Sequence, residues 1–151
     1  MIFTFPALAR SLADHLAPDL PGVRFFADPA QQGARPPMLF LRQTSGRMFP
    51  QPGGCVLRRL GLDLVYLERH NTVDGESCLQ AAADVKDHQL ETLPYRSVDG
   101  EKPVLLRTHD RSWEIADSAL HYKFQLRLRL TRAEDAALMQ SIQALNMEVS
   151  M

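Results

Sequence analysis

The stretch ALHYKFQLRLRLTR, residues 119–132, decides how the chain folds. From His121 to Leu130 it alternates without a break: His121, Lys123, Gln125, Arg127 and Arg129 fall on one parity, and Tyr122, Phe124, Leu126, Leu128 and Leu130 on the other. Successive side chains of a strand project to opposite faces, so the pattern predicts a long strand with one apolar and one basic face. Its apolar face calls for a helical layer to bury it.

Working back from this strand, Asp117-Ser118 reads as a turn, preceded by a strand in SWEIAD (112–117) and a short extended segment in PVLLRTHD (103–110). VDGESCLQAAADVKDHQLETL (73–93) is the clearest helix, expected from Gly75 to Leu93. Its apolar stripe runs through Cys78 or Leu79, Ala82, Val85, Leu90 and Leu93, and its alanines permit close packing on a sheet. Val56 to Leu67 forms a further strand, with Leu60, Leu62, Leu64 and Tyr66 on one face and Arg59 and Asp63 on the other. These two opposite charges are placed to pair with the basic face of 121–129, a cross-strand effect of about 0.2–1 kcal/mol.

SGRMFPQPGG (45–54) holds no regular pattern and is expected to be a loop, mobile or ordered by a partner. MLFLRQTS (38–45) and GVRFFA (22–27) are strand candidates around the loop DPAQQGARPP (28–37). At the N-terminal end Thr4 caps a helix, Pro6 is tolerated in its first turn, and Phe5, Leu8, Leu12 and Leu16 mark its buried face opposite Arg10 and Asp14. Pro18 stops it. RAEDAALMQSIQALNMEVSM (132–151) carries a weak helical stripe in Leu138, Ile142 and Leu145. The expectation is one α+β domain over 1–151: a mainly antiparallel sheet of four to five strands, two helices on one face in the order α-β-β-β-α-β-β, and a C-terminal tail.

Composition narrows the function. With 17 basic against 18 acidic residues the net charge is -1, so no global field recruits nucleic acid or an anionic membrane. Cys55 and Cys78 do not make a disulfide framework and suit a reduced, cytosolic chain. The N-terminal sequence lacks a signal-peptide pattern, and no apolar run approaches the about 18 residues of a membrane span. There is no Gly-rich phosphate loop and no dinucleotide-binding glycine pattern, so no cofactor is expected; Gly53-Gly54 reads as a turn. Asp84 and His88, one helical turn apart, lack a third metal ligand and read as a solvated helix face. His109, Asp110 and Ser112 invite a triad, but neighbours on an extended chain point apart. Arg58 and Arg59 near Cys55 would lower its pKa, with no base placed beside it. Lys123, Arg127 and Arg129 with His121 form the one concentrated basic stripe, suited to phosphates or an acidic partner surface and without aromatic interleaving for base stacking.

With these elements in order, the chain resembles the phage tail terminator family. The resemblance rests on the N-terminal helix leading to VRFFADPAQQGARPPMLFLRQTSG, on RRLGLDLVYLERHNTVDGESCLQAAADVKDHQLETL, on RTHDRSWEIADSALHYKFQLRLRL, and on the closing NMEVSM. It implies a non-enzymatic virion protein of the tail end and neck, made in host cytoplasm. Such a protein assembles as a hexameric ring on the tail tube, ends tube polymerisation and offers the surface for head–tail joining. Implied partners are further copies of itself, the tail tube protein, the head–tail connector protein and, where the tail is contractile, the sheath protein. No membrane is involved, and genome DNA meets it only by passage through the lumen. Arg59, Asp63, Lys123, Arg127 and Arg129 are the candidate subunit or partner interface. A head-closure or tube-initiating protein of the same particle is the alternative role. From another class, a small cytosolic enzyme or ligand-binding domain would use Cys55 or the His109–Ser112 region.

Overall fold

The computed structural model describes residues 2–20, 22–26, 37–67, 75–98, 100, 102–116 and 119–131. Helix α1 spans Phe5–Leu16, with the Thr4 hydroxyl accepting from the Ala7 N–H at 3.2 Å and a 3-10 turn at Ala17–Asp19 ending it. Strands β1 (Arg24–Phe26), β2 (Met38–Gln51) and β3 (Cys55–Leu67) follow, then α2 (Gly75–Gln89). Strands β4 (Thr92–Tyr95), β5 (Val104–Ala116) and β6 (Ala119–Thr131) complete the described fold. No helix among the described residues is long and apolar enough to cross a membrane.

The fold is α+β with two helices, as expected, but the sheet has six strands in the order β1-β2-β3-β6-β5-β4. It is mixed, because β1 runs parallel to β2 while the remaining pairs are antiparallel. The alternation in β6 sorts its side chains as its sequence predicts: Tyr122, Phe124, Leu126, Leu128 and Leu130 are buried, and Lys123, Arg127 and Arg129 are exposed. They join Leu39 and Leu41 of β2, Leu60, Leu62 and Leu64 of β3, Leu8, Leu12 and Leu16 of α1, and Ala83 of α2 in one apolar cluster.

Three departures from the sequence reading have physical causes. The expected loop at 45–54 is the second half of β2 and a tight turn: β2 and β3 pair from Met38↔Leu67 to Gln51↔Cys55, closed by a 3-10 turn at Pro52–Gly54. Gly46 and Pro50 are tolerated because, among the described residues, β1 covers β2 only as far as Phe40; the rest of β2 is a sheet edge, where a missing N–H need not break the ladder. A bulge between Gln43 and Ser45 shifts the register, and Gly61 lies beneath it with the Thr44 and Ser45 side chains filling the space of a Cβ. In the turn, Gly53 and Gly54 have φ of 80° and 75°. Alanine at either is therefore expected to cost about 1–2 kcal/mol, read as a lower urea midpoint with unchanged slope.

The second departure is the end of α2, four residues earlier than Leu93. The Thr108 hydroxyl donates to the Leu90 carbonyl at 2.5 Å, and the Thr108 N–H donates to the Glu91 carbonyl at 3.2 Å. With the Leu90 and Glu91 carbonyls, just past the helix end, taken by β5, the chain leaves the helix and Thr92–Tyr95 becomes a strand on Val104–Arg107. The buried face also differs from the expected stripe. Ala83, Lys86 and Leu90 face inward while Val85 is 50% exposed; the side chains of Cys78 and Leu79 lie outside the described residues. Lys86 is buried along its aliphatic stem, with its ammonium 4.5 Å from the centre of the Tyr66 ring.

Third, the two segments expected at 103–110 and 112–117 are one strand, β5, interrupted by a bulge between His109 and Ser112 with Asp110 at φ 51°. The turn at Asp117-Ser118, the 28–36 part of the loop after β1, and the tail from Arg132 onward lie outside the described residues.

One polar anchor fixes α2 to the sheet. The Tyr122 hydroxyl donates to Asp87 Oδ1 at 2.5 Å, and Arg111 Nε donates to the same oxygen at 3.0 Å. Burial, and then the Asp87 carboxylate, push the Tyr122 phenol well above its ordinary range. The fold thus holds Tyr122 neutral, and this stabilisation is complete below about pH 10, where an unfolded tyrosine is also neutral. As pH climbs past that value the unfolded chain ionises first and stability falls. Melting temperatures above pH 10 should therefore drop, and Tyr122→Phe should flatten that drop while costing about 1 kcal/mol near neutrality.

Candidate interface on the open face of the sheet

Residues of opposite parity to the buried cluster form a second face, open at Arg47, Lys123, Arg127 and Arg129 but buried at Gly61, Asp63 and Val65. Strand register fixes its layout. Arg47 of β2 pairs with Arg59 of β3, and Arg59 pairs with Arg127 of β6, so three arginines stand abreast across three strands. Phe49, two residues from Arg47, lies under two of them: the Arg47 and Arg59 guanidinium carbons are 5.0 and 5.1 Å from its ring centre. Like charges directly opposite are unfavourable in a sheet, and stacking on a shared aromatic ring offsets part of that repulsion. Arg127 also reaches Asp110 at 3.5 Å, a contact that the left-handed backbone at the β5 bulge puts within range. The Arg59 Nε is buried and, among the described residues, has no hydrogen-bond partner.

Asp63 stands further along β3, only 1% exposed. Its Oδ2 accepts from Arg42 at 3.4 Å and lies 3.1 Å from His121 Nδ1, while its Oδ1 has no partner among the described residues. Lys123 is opposite Asp63 in the ladder, but its ammonium donates to Glu114 at 2.8 Å instead. The two share their charge: the hydrogen bond raises the Lys123 pKa and lowers that of Glu114.

The five residues singled out in sequence therefore lie on one face, but the expected pairing holds only in part. Asp63 does oppose Lys123; Arg59, however, faces Arg127, a like charge. Only the Oδ2 of Asp63 is partnered, from the sides, by Arg42 of β2 and by His121. Arg129 is exposed and pairs with Leu57, one ladder step toward the hairpin turn. Sequence reasoning missed Arg47 and Phe49, because Gly46 and Pro50 disguised their stretch as a loop. The alternation of Arg47 and Phe49 against Met48 and Pro50 was the signal available.

The remaining candidates are scattered. Cys55 opens β3 and is half-buried. The β5 bulge sets His109 opposite Gln125 and Ser112 opposite Lys123, so both fall on the open face where strict alternation had them pointing apart. Asp84 and His88 are exposed on α2, and among the described residues no three His, Cys, Asp or Glu side chains gather as a metal site.

The sequence of this two-faced sheet and its helices matches the family model described as phage tail terminator protein over residues 7–137. The chain belongs to that family. Membership places it among the structural components of a phage tail, a class defined by assembly with other tail components and not by catalysis. No curated protein matches the sequence.

Proposed function

We propose that the chain acts as one terminator domain over 1–151: a hexameric ring that caps the tail tube, ends its polymerisation and presents the surface for head–tail joining. The family match over residues 7–137 carries this reading. Its partners are then further copies, the tail tube protein, the head–tail connector protein and, in a contractile tail, the sheath protein. It acts at the neck of the virion after synthesis in the host cytoplasm, and genome DNA passes through its lumen. Arg59, Asp63, Lys123, Arg127 and Arg129 supply subunit or partner contacts, with Lys123, Arg127 and Arg129 as the exposed members and Asp63 bracing Arg42 and His121 from beneath.

The test is tube growth. Purified tube protein polymerised with this chain should give tubes that stop, with particles at one end, by electron microscopy. Reversing Arg127 and Arg129 to Glu should leave the melting temperature nearly unchanged, since exposed charges contribute little, and abolish capping. Tubes that lengthen without limit in saturating wild-type chain would sink the terminator role. Normal capping by the double reversal would remove the stripe from the interface.

A further inference from the structure

A second surface complements the arginine row. Along the part of β5 that has no outer strand among the described residues, Gln80, Asp84, Trp113, Glu114 and Ile115 line a cleft. Trp113 is 46% exposed, a large aromatic area for a solvent-facing position. Its ring is held in place by stacking on buried Tyr122, with centroids 6.3 Å apart and planes within 5°. Asp84, on the exposed side of α2, has no ion-pair partner among the described residues. With Glu114 held by Lys123, the fixed indole beside the Asp84 carboxylate is the environment a guanidinium seeks: the ring face attracts the cation, and the carboxylate takes its N–H fork. Exposed tryptophans and arginines are also the residue types that most often anchor protein contacts.

The two surfaces cannot meet within one molecule. Tyr122, beneath Trp113, and Arg127, in the arginine row, are separated by about 17 Å of strand. The row lies on the open face, whereas Trp113 shares the buried parity of Tyr122. We infer that the Arg47–Arg59–Arg127 row of one copy docks into the Trp113–Asp84 cleft of the next. The row and the cleft are different patches, so the contact is head-to-tail, and each copy keeps one of each free for a further neighbour; such contacts close into rings when the rotation permits. The inference rests on the proposal that copies of the chain assemble, and it names both sides of their contact.

The test uses two variants changed only at exposed positions. The first is Arg47→Glu with Arg127→Glu; the second is Asp84→Arg. Each is examined by light scattering, alone, with tube protein added, and mixed one to one with the other. Wild type should form a multi-subunit species whose mass falls as salt rises, and each variant alone should be monomeric. The mixture should regain the wild-type mass, because row and cleft are then complementary only between unlike copies. Circular dichroism melts that match wild type exclude misfolding; should Asp84→Arg melt early, Asp84→Asn, which loses charge without adding bulk, takes its place and should weaken assembly. Assembly that survives either variant overturns the inference, as does a mixture that stays monomeric. A wild type that is monomeric with and without tube also overturns it. Sensitivity to the row but not to Asp84 would mean that the arginines meet another molecule, such as a nucleic acid, and would overturn it as well. Tail length scored on the same samples separates the two ideas: capped tubes with charge-indifferent assembly would reject this contact and keep the terminator role.

Discussion

Tyr95→Ala is expected to destabilise the chain by about 3–5 kcal/mol, enough to leave a domain of this size partly unfolded at 37 °C. Tyr95 is fully buried at the end of β4, and its ring stacks on Phe3 with centroids 5.1 Å apart. Its hydroxyl donates to the Ile2 carbonyl at 2.8 Å and accepts from the Thr4 N–H at 3.1 Å. One side chain thus fastens the entry to α1 against the far edge of the sheet. Ser11 reinforces the seam, accepting from the Arg96 N–H at 3.0 Å while donating to the Ala7 carbonyl at 2.8 Å. Truncation removes the ring, opens a cavity and leaves two backbone groups unpaired. Tyr95→Phe isolates the polar part and should cost about 1–3 kcal/mol. Urea unfolding of both variants checks the division; a Phe variant as damaged as the Ala variant would mean that packing matters little here.

Leu64→Ala is the second large effect, with an expected loss of about 3–4 kcal/mol. Leu64 is fully buried at the middle of β3, between Leu41 of β2 and Tyr122 of β6. These three form one row of the core across three strands, with Trp113 of β5 continuing it beyond Tyr122. Rigid strands on both sides cannot collapse into the space, which puts the cost above the minimum for a leucine truncation. Leu64→Met keeps most of the volume and should cost less than about 1.5 kcal/mol. Thermal melts of the pair measure the difference. Equal melting points for Leu64→Ala and wild type would show that this row is not the centre of the core.

Much of this could be read directly from the chain. The alternation of β6, the capped helix ending near Pro18 and the even-numbered leucines of β3 are local patterns, and each is where its residues predict. What stayed hidden depends on neighbours distant in sequence. Gly46 and Pro50 look like loop residues until β3 pairs with their strand and leaves the other edge without a neighbour among the described residues. Lys86 looks solvent-facing until the Tyr66 ring provides a seat for its ammonium. Thr92 and Leu93 continue a helical pattern until Thr108 captures the preceding carbonyls. For the candidate interface, β6 announced its own stripe, but the arginine row is a property of register across three strands. Periodicity within one segment says nothing about which residue of another strand stands opposite.

Beyond Phe40 the outer edge of β2 carries no neighbouring strand among the described residues, which bears on how copies of the chain behave when crowded. From Leu41 onward its backbone groups form a template on which any extended segment could grow, the usual seed of disordered precipitates. Three features of this edge oppose such growth. The bulge at Thr44 breaks the even spacing of the ladder, Arg47 sets charge beside charge in any stack of identical strands, and Pro50 removes a donor. These interruptions disfavour edge-to-edge pairing of one copy's sheet with another's. The irregularities that disguise β2 as a loop in the sequence are thus its protection against fibre formation.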